Sequence, residues 1–315
     1  MIRQPGTRGG DGDARVRLRG ATDLILRPGG HLQFGVLPEH SLVLPVPSGV
    51  PVSQVLQVLR EVRRPVDRSF LTLILSHCGI PTVHARGIVD ELEQTGLLRS
   101  DPTPYPVFAT GPERYTRPLV HTLRRRGVAA TRIAPTSDTF TRLGPEALVL
   151  LAGQLFPSAD LSFQLMEQQV PHLTWGMVDG RTAVGPLVVP GRTPCLSCLD
   201  AAYLVADSRW QMIRSQATAG GAPTDTPTVE LSAGLAAGAV RALLPGLRSL
   251  QDARTRSDDT DAPDLCGRRR YLDAETLVST STEITRRPDC AACALAAAAL
   301  STAPHPTAPA PRPPS

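Results

Sequence analysis

The sequence predicts an α/β protein of two domains, and three observations support this prediction. Residues 21–100 contain three short apolar runs followed by three stretches with helical periodicity. From residue 105 onward, apolar strands alternate with helical patterns, which is typical of a parallel sheet with crossover helices. Two Cys-x-x-Cys motifs lie far apart in the chain, a pattern that indicates a metal tying a distant segment to the second domain.

Composition limits the class of protein. A chain of 315 residues with 41% hydrophobic and 20% charged residues is typical of globular domains. Residues 1–20 are rich in Gly and Arg and residues 298–315 in Pro and Ala, so both are predicted to be disordered tails. No apolar run spans a bilayer and the first residues contain no apolar signal region. We therefore expect a cytoplasmic protein with no membrane partner.

One residue type is missing: all 33 basic residues are arginine. A lysine Schiff base and the phosphate-binding lysine of a P-loop are therefore excluded.

The first domain, residues 21–100, is predicted to be winged-helix-like and α+β. Its three apolar runs, "ATDLILRPG", "HLQFGVLP" and "HSLVLPV", each contain or end at Pro or Gly, as strands do. The segment "PVSQVLQVLREV" then has apolar residues at the spacing of one helix face, and two closely spaced helical stretches follow. The last stretch contains Asp90, Glu91 and Glu93, whose charges oppose DNA phosphates. We therefore expect no nucleic-acid partner, and a winged-helix DNA-binding regulator is the third-ranked alternative.

An edge strand beside a helix can instead bind a peptide by strand addition. Pro45 and Pro47 suit an edge strand, because a missing N–H is tolerated there, and they limit the added strand to residues 41–44. Arg86 is either a partner for an acidic peptide residue or a solvated surface arginine. The predicted peptide-binding residues are four from the strand and four from the last helix: Ser41, Leu42, Val43, Leu44, Val83, Arg86, Gly87 and Asp90.

The segment from "LRPGGHLQFGVLPEHSLVL" to "VDELEQTGLL" resembles the PqqD-like RiPP recognition element. Domains of that family capture the leader peptides of ribosomally synthesised and post-translationally modified peptides (RiPPs). The resemblance therefore implies that the partner of the first domain is the leader of a precursor peptide.

The second domain, residues 105–297, is predicted to be Rossmann-like. The segment "PVFATGPERYTRPLVHTLRRRGVAATRI" fits a βαβ unit, and "EALVLLAGQLFP" fits a buried parallel strand. The loop "ATGPERYT" has one glycine where a dinucleotide loop needs three. The strand "LVLLAG" ends in Ala152 and Gly153, where a magnesium-binding aspartate would be expected in a nucleotide site. We therefore expect no bound ATP.

The motifs Cys195-x-x-Cys198 and Cys290-x-x-Cys293 predict a structural zinc. Four thiolates fill a tetrahedral zinc site, leaving no position for a catalytic water. Disulfides are disfavoured in the cytoplasm, and a redox Cys-x-x-Cys is disfavoured because two such motifs occur.

The segments "HLTWGMVDGRTAVGPLVVPGRTPCLSCLD", "PTVELSAGLAAGAVRALL" and "RRPDCAAC" resemble the ThiF/MoeB family of ubiquitin-activating-enzyme relatives. They are most similar to its leader-peptide-binding, ocin-ThiF-like branch. Adenylating members of the family hold ATP with a glycine-rich loop, an arginine, a lysine and an aspartate. This sequence departs from that pattern at the loop and the aspartate, and it has no lysine.

The two resemblances together imply a non-catalytic scaffold of an azoline- or thiopeptide-type RiPP system. Such a scaffold binds the leader and presents the core peptide to a YcaO-type cyclodehydratase, which uses ATP. The alternative is a divergent ThiF-like adenylyltransferase that activates a peptide carboxylate. No catalytic residue can be assigned from the sequence. The Ala/Gly-rich segment "VELSAGLAAGAVRALL" suits close packing either on the sheet or across a homodimer.

Overall fold

The computed structural model describes residues 15–20, 22–100, 105–217, 224–252 and 264–302. Residues 1–14 of the predicted tail 1–20 and residues 303–315 of the predicted tail 298–315 lie outside the described residues, as do residues 253–263. The chain divides into two compact units, Met1–Asp101 and Pro102–Ser315. Within the described residues, we find no helix with the length and apolar character needed to cross a bilayer.

The first unit combines three helices with two small antiparallel sheets, of strand order β2-β3-β4 and β5-β1-β6. Its described elements are, in chain order, β1 (Arg15–Leu18), β2 (Leu24–Arg27), β3 (His31–Phe34), β4 (Leu42–Pro45), α1 (Val52–Glu61), β5 (Val66–Asp67), α2 (Arg68–His77), α3 (Thr82–Gln94) and β6 (Leu98–Ser100).

The sheet β5-β1-β6 corrects two expectations. Strand β1 lies inside the predicted tail 1–20, because Val16 and Leu18 alternate with arginines and are both buried in the core of the unit. Strand β6 follows α3 and pairs with β1, whereas the sequence predicted no strand after the last helix. Both strands are only three or four residues long, which leaves little periodicity to detect.

The second unit has a seven-stranded sheet, of order β13-β12-β11-β10-β9-β7-β8. Its described elements are, in chain order, β7 (Val107–Thr110), α4 (Glu113–Arg125), β8 (Ala130–Arg132), α5 (Asp138–Thr141), β9 (Leu148–Ala152), α6 (Ala159–Glu167), β10 (His172–Val178), β11 (Arg181–Val188), α7 (Leu196–Ala206), α8 (Trp210–Gln216), α9 (Thr226–Asp252), β12 (Arg268–Asp273), β13 (Ser279–Glu283) and α10 (Ala291–Thr302).

Strands β8, β7, β9 and β10 are parallel, and β10 to β13 continue the sheet antiparallel. Strand β7 lies between β8 and β9, so the chain passes to opposite sides of β7. This is a topological switch point, and α/β proteins bind ligands in the crevice at the carboxyl ends of such strands.

Two clusters of buried side chains include residues of this sheet. One includes residues of α4 and α9, and Ser232 of α9 accepts a hydrogen bond from the Trp175 indole at 2.8 Å. The other includes α6, α7, α10 and the four predicted zinc cysteines. Helix α9 thus packs its Ala-rich side into the core. Helix α10 continues to Thr302, past the predicted domain end at residue 297.

Candidate functional site

The four predicted zinc ligands lie together. The Sγ–Sγ distances are 3.9 Å for Cys195–Cys198, 3.5 Å for Cys195–Cys290 and 3.7 Å for Cys198–Cys293, and all four sulfur atoms lie within 4.8 Å of one another. Four thiolates bound to a tetrahedral zinc at about 2.3 Å are about 3.8 Å apart. A disulfide would require about 2.05 Å, so the cluster has the dimensions of a metal site.

Two helix starts position these thiols. Cys195 directly precedes α7 and Cys290 directly precedes α10, so each Cys-x-x-Cys motif occupies a first helical turn. The N–H groups of Cys198 and Ala294 donate to the carbonyls of Cys195 and Cys290, at 3.1 and 2.9 Å. The positive end of a helix dipole favours thiolates. All four cysteines are buried, so the donor set fits a closed, structural metal site.

The thiols also influence one another electrostatically. Hydrogen bonds from the thiols of Cys195 and Cys293 hold the pKa of Cys198 well below its usual range. The hydrogen bond to Cys198 raises the pKa of Cys195, because its proton is shared with the Cys198 thiolate. Cys198 is therefore the thiol that loses its proton first, whereas Cys195 keeps its proton.

Backbone contacts beside the cluster hold α10 against the sheet. Arg286 donates to the carbonyls of Gly191 and Cys293, at 3.0 and 3.2 Å, and Gln169 donates to the Ala296 carbonyl at 3.1 Å. Gly191 has a positive φ of 73°, and an added Cβ would collide with α10. The sequence gives no signal for these residues, because single polar side chains in loops have no periodicity.

The switch-point crevice is the second candidate site. A cavity of about 610 Å³ lies there, lined by Thr110, Gly111, Glu113 and Arg132 among others. Glu113 and Arg132 form an ion pair at 2.8 Å, and this hydrogen bond lowers the pKa of the Glu113 carboxyl. The buried Thr110 Oγ1 has no hydrogen-bond partner among the described residues.

The walls of this crevice differ from those of a phosphate loop. Gly111 has a φ of 130°, and an added Cβ would collide with the carbonyl of Ala152. Only glycine fits at position 111, because the ends of β7 and β9 lie very close together there. Behind these walls, Gly153 contacts the Tyr115 ring, which is buried in the core of the unit and packs edge-on against Trp175 with centroids 5.6 Å apart. Glu113 in the first turn of α4 places a carboxylate where a helix N-terminus would hold phosphate.

A buried arginine fixes the loop that follows β9. Arg269 is 0% exposed and donates to the carbonyls of Gly185 and Leu155, both at 2.8 Å. It also donates to Thr174 Oγ1 at 3.1 Å and lies over the Phe156 ring, 5.2 Å from its centroid. The run "CGRRRYLD" contains the signal for this residue, because the middle of three arginines in a strand points to the opposite face from its neighbours.

The predicted peptide-binding strand is an edge of its sheet, since β4 pairs with β3 and with no other described strand. The sequence left open which side of the strand meets the core. Leu44 is 3% exposed and Leu42 packs on the core cluster, so this pair faces inward. Val43 is 36% exposed and Ser41 is half-buried.

On α3, Val83, Arg86 and Gly87 are exposed, with Val83 at 79%. Asp90 forms an ion pair with Arg68, so its carboxylate is already engaged within the unit.

No family model and no curated protein sequence matches this chain, but solved structures do. A structure described as a heterocyclase in complex with substrate and cofactor matches with a TM-score of 0.56 and 16% identity, over 89% of this chain and 39% of that chain. The heterocyclase TruD matches with a TM-score of 0.54 and 19% identity, over 89% of this chain and 43% of TruD. This chain therefore spans less than half the length of either heterocyclase.

Escherichia coli MccB with ATP matches with a TM-score of 0.47 and 15% identity, over 89% of this chain and 99% of MccB. That score supports no conclusion about this chain. The two heterocyclase matches show the fold. They confirm the predicted mixed α/β architecture, in which the structure also contains the predicted cysteine cluster.

Proposed function

We propose that this chain is a non-catalytic scaffold of a RiPP-modifying system, which binds the leader of a precursor peptide and presents the core peptide to a YcaO-type cyclodehydratase. The observation that supports this proposal most strongly is the edge strand β4 of the first unit. The fold of the chain is also similar to that of the two heterocyclases. In this account the cyclodehydratase uses ATP to close azoline rings on Cys, Ser or Thr, and the zinc at the cysteine cluster is structural.

Strand addition along residues 41–44 is consistent with the burial of β4. Leu42 and Leu44 anchor the strand to the core, so the edge can accept a new strand without repacking. Pro45 offers no N–H and ends the pairing surface. Main-chain hydrogen bonds would supply affinity, and the exposed side chains of Val83 and Arg86 on α3 would supply selectivity.

The absence of ATP chemistry in this chain is part of the proposal. The single glycine at Gly111 and the carboxylate of Glu113, both in the lining of the crevice, oppose phosphate binding there. The sequence also contains no lysine to contact phosphate oxygens.

Reconstitution tests the scaffold. The chain, a YcaO-type cyclodehydratase and a candidate precursor peptide are combined with ATP, and loss of water from the precursor is followed by mass spectrometry. We expect ring formation only when the chain and the cyclodehydratase are both present. Equal ring formation without the chain would contradict the proposal.

A divergent adenylyltransferase is the second candidate, favoured by the 610 Å³ crevice and its unpartnered Thr110 hydroxyl. ATP–pyrophosphate exchange by the isolated full chain, with and without precursor, separates the two candidates. The scaffold shows no exchange above background, whereas saturable exchange stimulated by peptide identifies an adenylyltransferase.

A further inference from the structure

The second unit also has a groove between α4 and the start of α9, with a volume of about 1070 Å³. Arg114, Arg117, His121 and Arg125 of α4 line it, at the three- and four-residue spacing that places side chains on one helix face. All four are exposed. We call this surface the basic groove.

The cations of the groove outnumber its acids. Arg125 lies in the last turn of α4, where a cation offsets the helix dipole, and Arg114 lies over the Tyr115 ring, 5.1 Å from its centroid. Against them the groove has two acids, Glu113 and Glu230, and Glu113 is paired with Arg132. The excess of positive charge in the groove therefore points to an anionic ligand.

The remaining lining residues indicate the class of that ligand. The groove has hydroxyl groups from Thr122, Thr224 and Thr226 and no aromatic side chain among its described lining residues, whereas single-stranded nucleic acids are held by aromatic stacking. An acidic peptide therefore fits better than a nucleic acid.

We propose that the basic groove binds an extended acidic peptide segment. That this segment belongs to the precursor, outside the part that pairs with β4, rests on the proposed function. The groove gives the second unit a direct role in holding substrate.

Fluorescence polarisation of fluorescein-labelled decaglutamate with the full chain tests the groove without any knowledge of the precursor. We expect saturable binding at low salt that weakens as salt rises. Arg117→Glu/Arg125→Glu should lower the affinity by about tenfold or more. The matched control, Arg60→Glu/Arg142→Glu, changes the net charge equally at exposed sites elsewhere and should lower it by less than about twofold. Thermal melts confirm that each variant is folded.

Three results would overturn the proposal. These are no binding by the folded wild type, equal loss in both double variants, and tighter groove-dependent binding of a ten-nucleotide oligo-dT, which would assign the groove to nucleic acid. Leader binding at β4 is measured separately with Val43→Asp, so failure at one surface is distinguishable from failure at the other.

Discussion

The Sγ atoms of Cys195 and Cys290 lie 3.5 Å apart although ninety-five residues separate them in the chain. Their contact joins the start of α7 to the start of α10. Among the described residues, this is the only cluster of buried thiols that holds α10 against the rest of the second unit. A metal at this cluster would therefore couple its own binding free energy to the docking of α10.

Removal of one thiol tests this coupling. Cys290→Ser should reduce bound zinc from one per chain and lower the melting temperature, because the remaining three thiolates cannot complete the tetrahedron. Cys266→Ser is the matched control, since Cys266 is half-buried and lies outside the cluster. The measurement is elemental analysis with thermal melting of protein purified without chelator. Metal-free wild type, or a disulfide between Cys195 and Cys290, would contradict the assignment.

Replacement of the buried arginine should destabilise the second unit. Arg269→Gln cannot span to the carbonyls of Gly185 and Leu155. Gly185 keeps the hydrogen bond that Thr174 donates, but loss of the buried arginine's hydrogen bonds should cost about 2–4 kcal/mol in the free energy of unfolding. Arg270→Gln, the neighbouring exposed arginine paired with Asp264, should cost less than about 1 kcal/mol. Urea unfolding measures both, and equal losses would show that the Arg269 contacts are unimportant.

Acid should weaken the fold through His172. Burial lowers its pKa from 6.5 to about 4, so between these values the unfolded chain binds a proton that the folded chain does not. The corresponding stability is fully present above pH 6.5 and is lost as pH falls to 4, by up to about 3 kcal/mol.

His172→Asn isolates this contribution, because asparagine does not titrate yet can keep a donor near the Val170 carbonyl that His172 Nδ1 contacts at 2.9 Å. The difference in unfolding free energy between wild type and variant, measured from pH 7.5 to 4.5, should narrow or reverse in favour of the variant as pH falls. A constant difference over that range would rule out His172 as the group responsible.

Much of the fold could be predicted from periodicity and spacing. The runs that became β2, β3 and β4 end at turn residues, and the Cys-x-x-Cys pairs have the spacing of a zinc site, so local chemistry was sufficient there. Short strands such as β1 and β6 are defined by each other, through pairing between residues far apart, and local patterns do not contain that information.

The sites were predictable to different degrees. The four cysteines were found because metal ligation requires particular residue types at a fixed spacing. The inward face of β4 was not, because Leu42, Val43 and Leu44 are all apolar and only packing distinguishes them. The roles of Arg269 and Tyr115 depend on carbonyls and glycines brought close by the tertiary fold, which no spacing rule anticipates.

Leader binding by the full chain tests the central claim most directly. A fluorescein-labelled leader of a candidate precursor peptide is titrated without nucleotide and followed by fluorescence polarisation. Val43→Asp should weaken binding by about tenfold, because a charged edge resists strand addition, and Arg86→Glu should weaken binding of an acidic leader. Val36→Asp, at an exposed valine outside β4, should leave the affinity unchanged. We predict saturable binding that does not require ATP and that only the β4 and α3 variants weaken. Binding that requires ATP would contradict the proposed function. Equal affinities of the Val43→Asp and Val36→Asp variants would also contradict it.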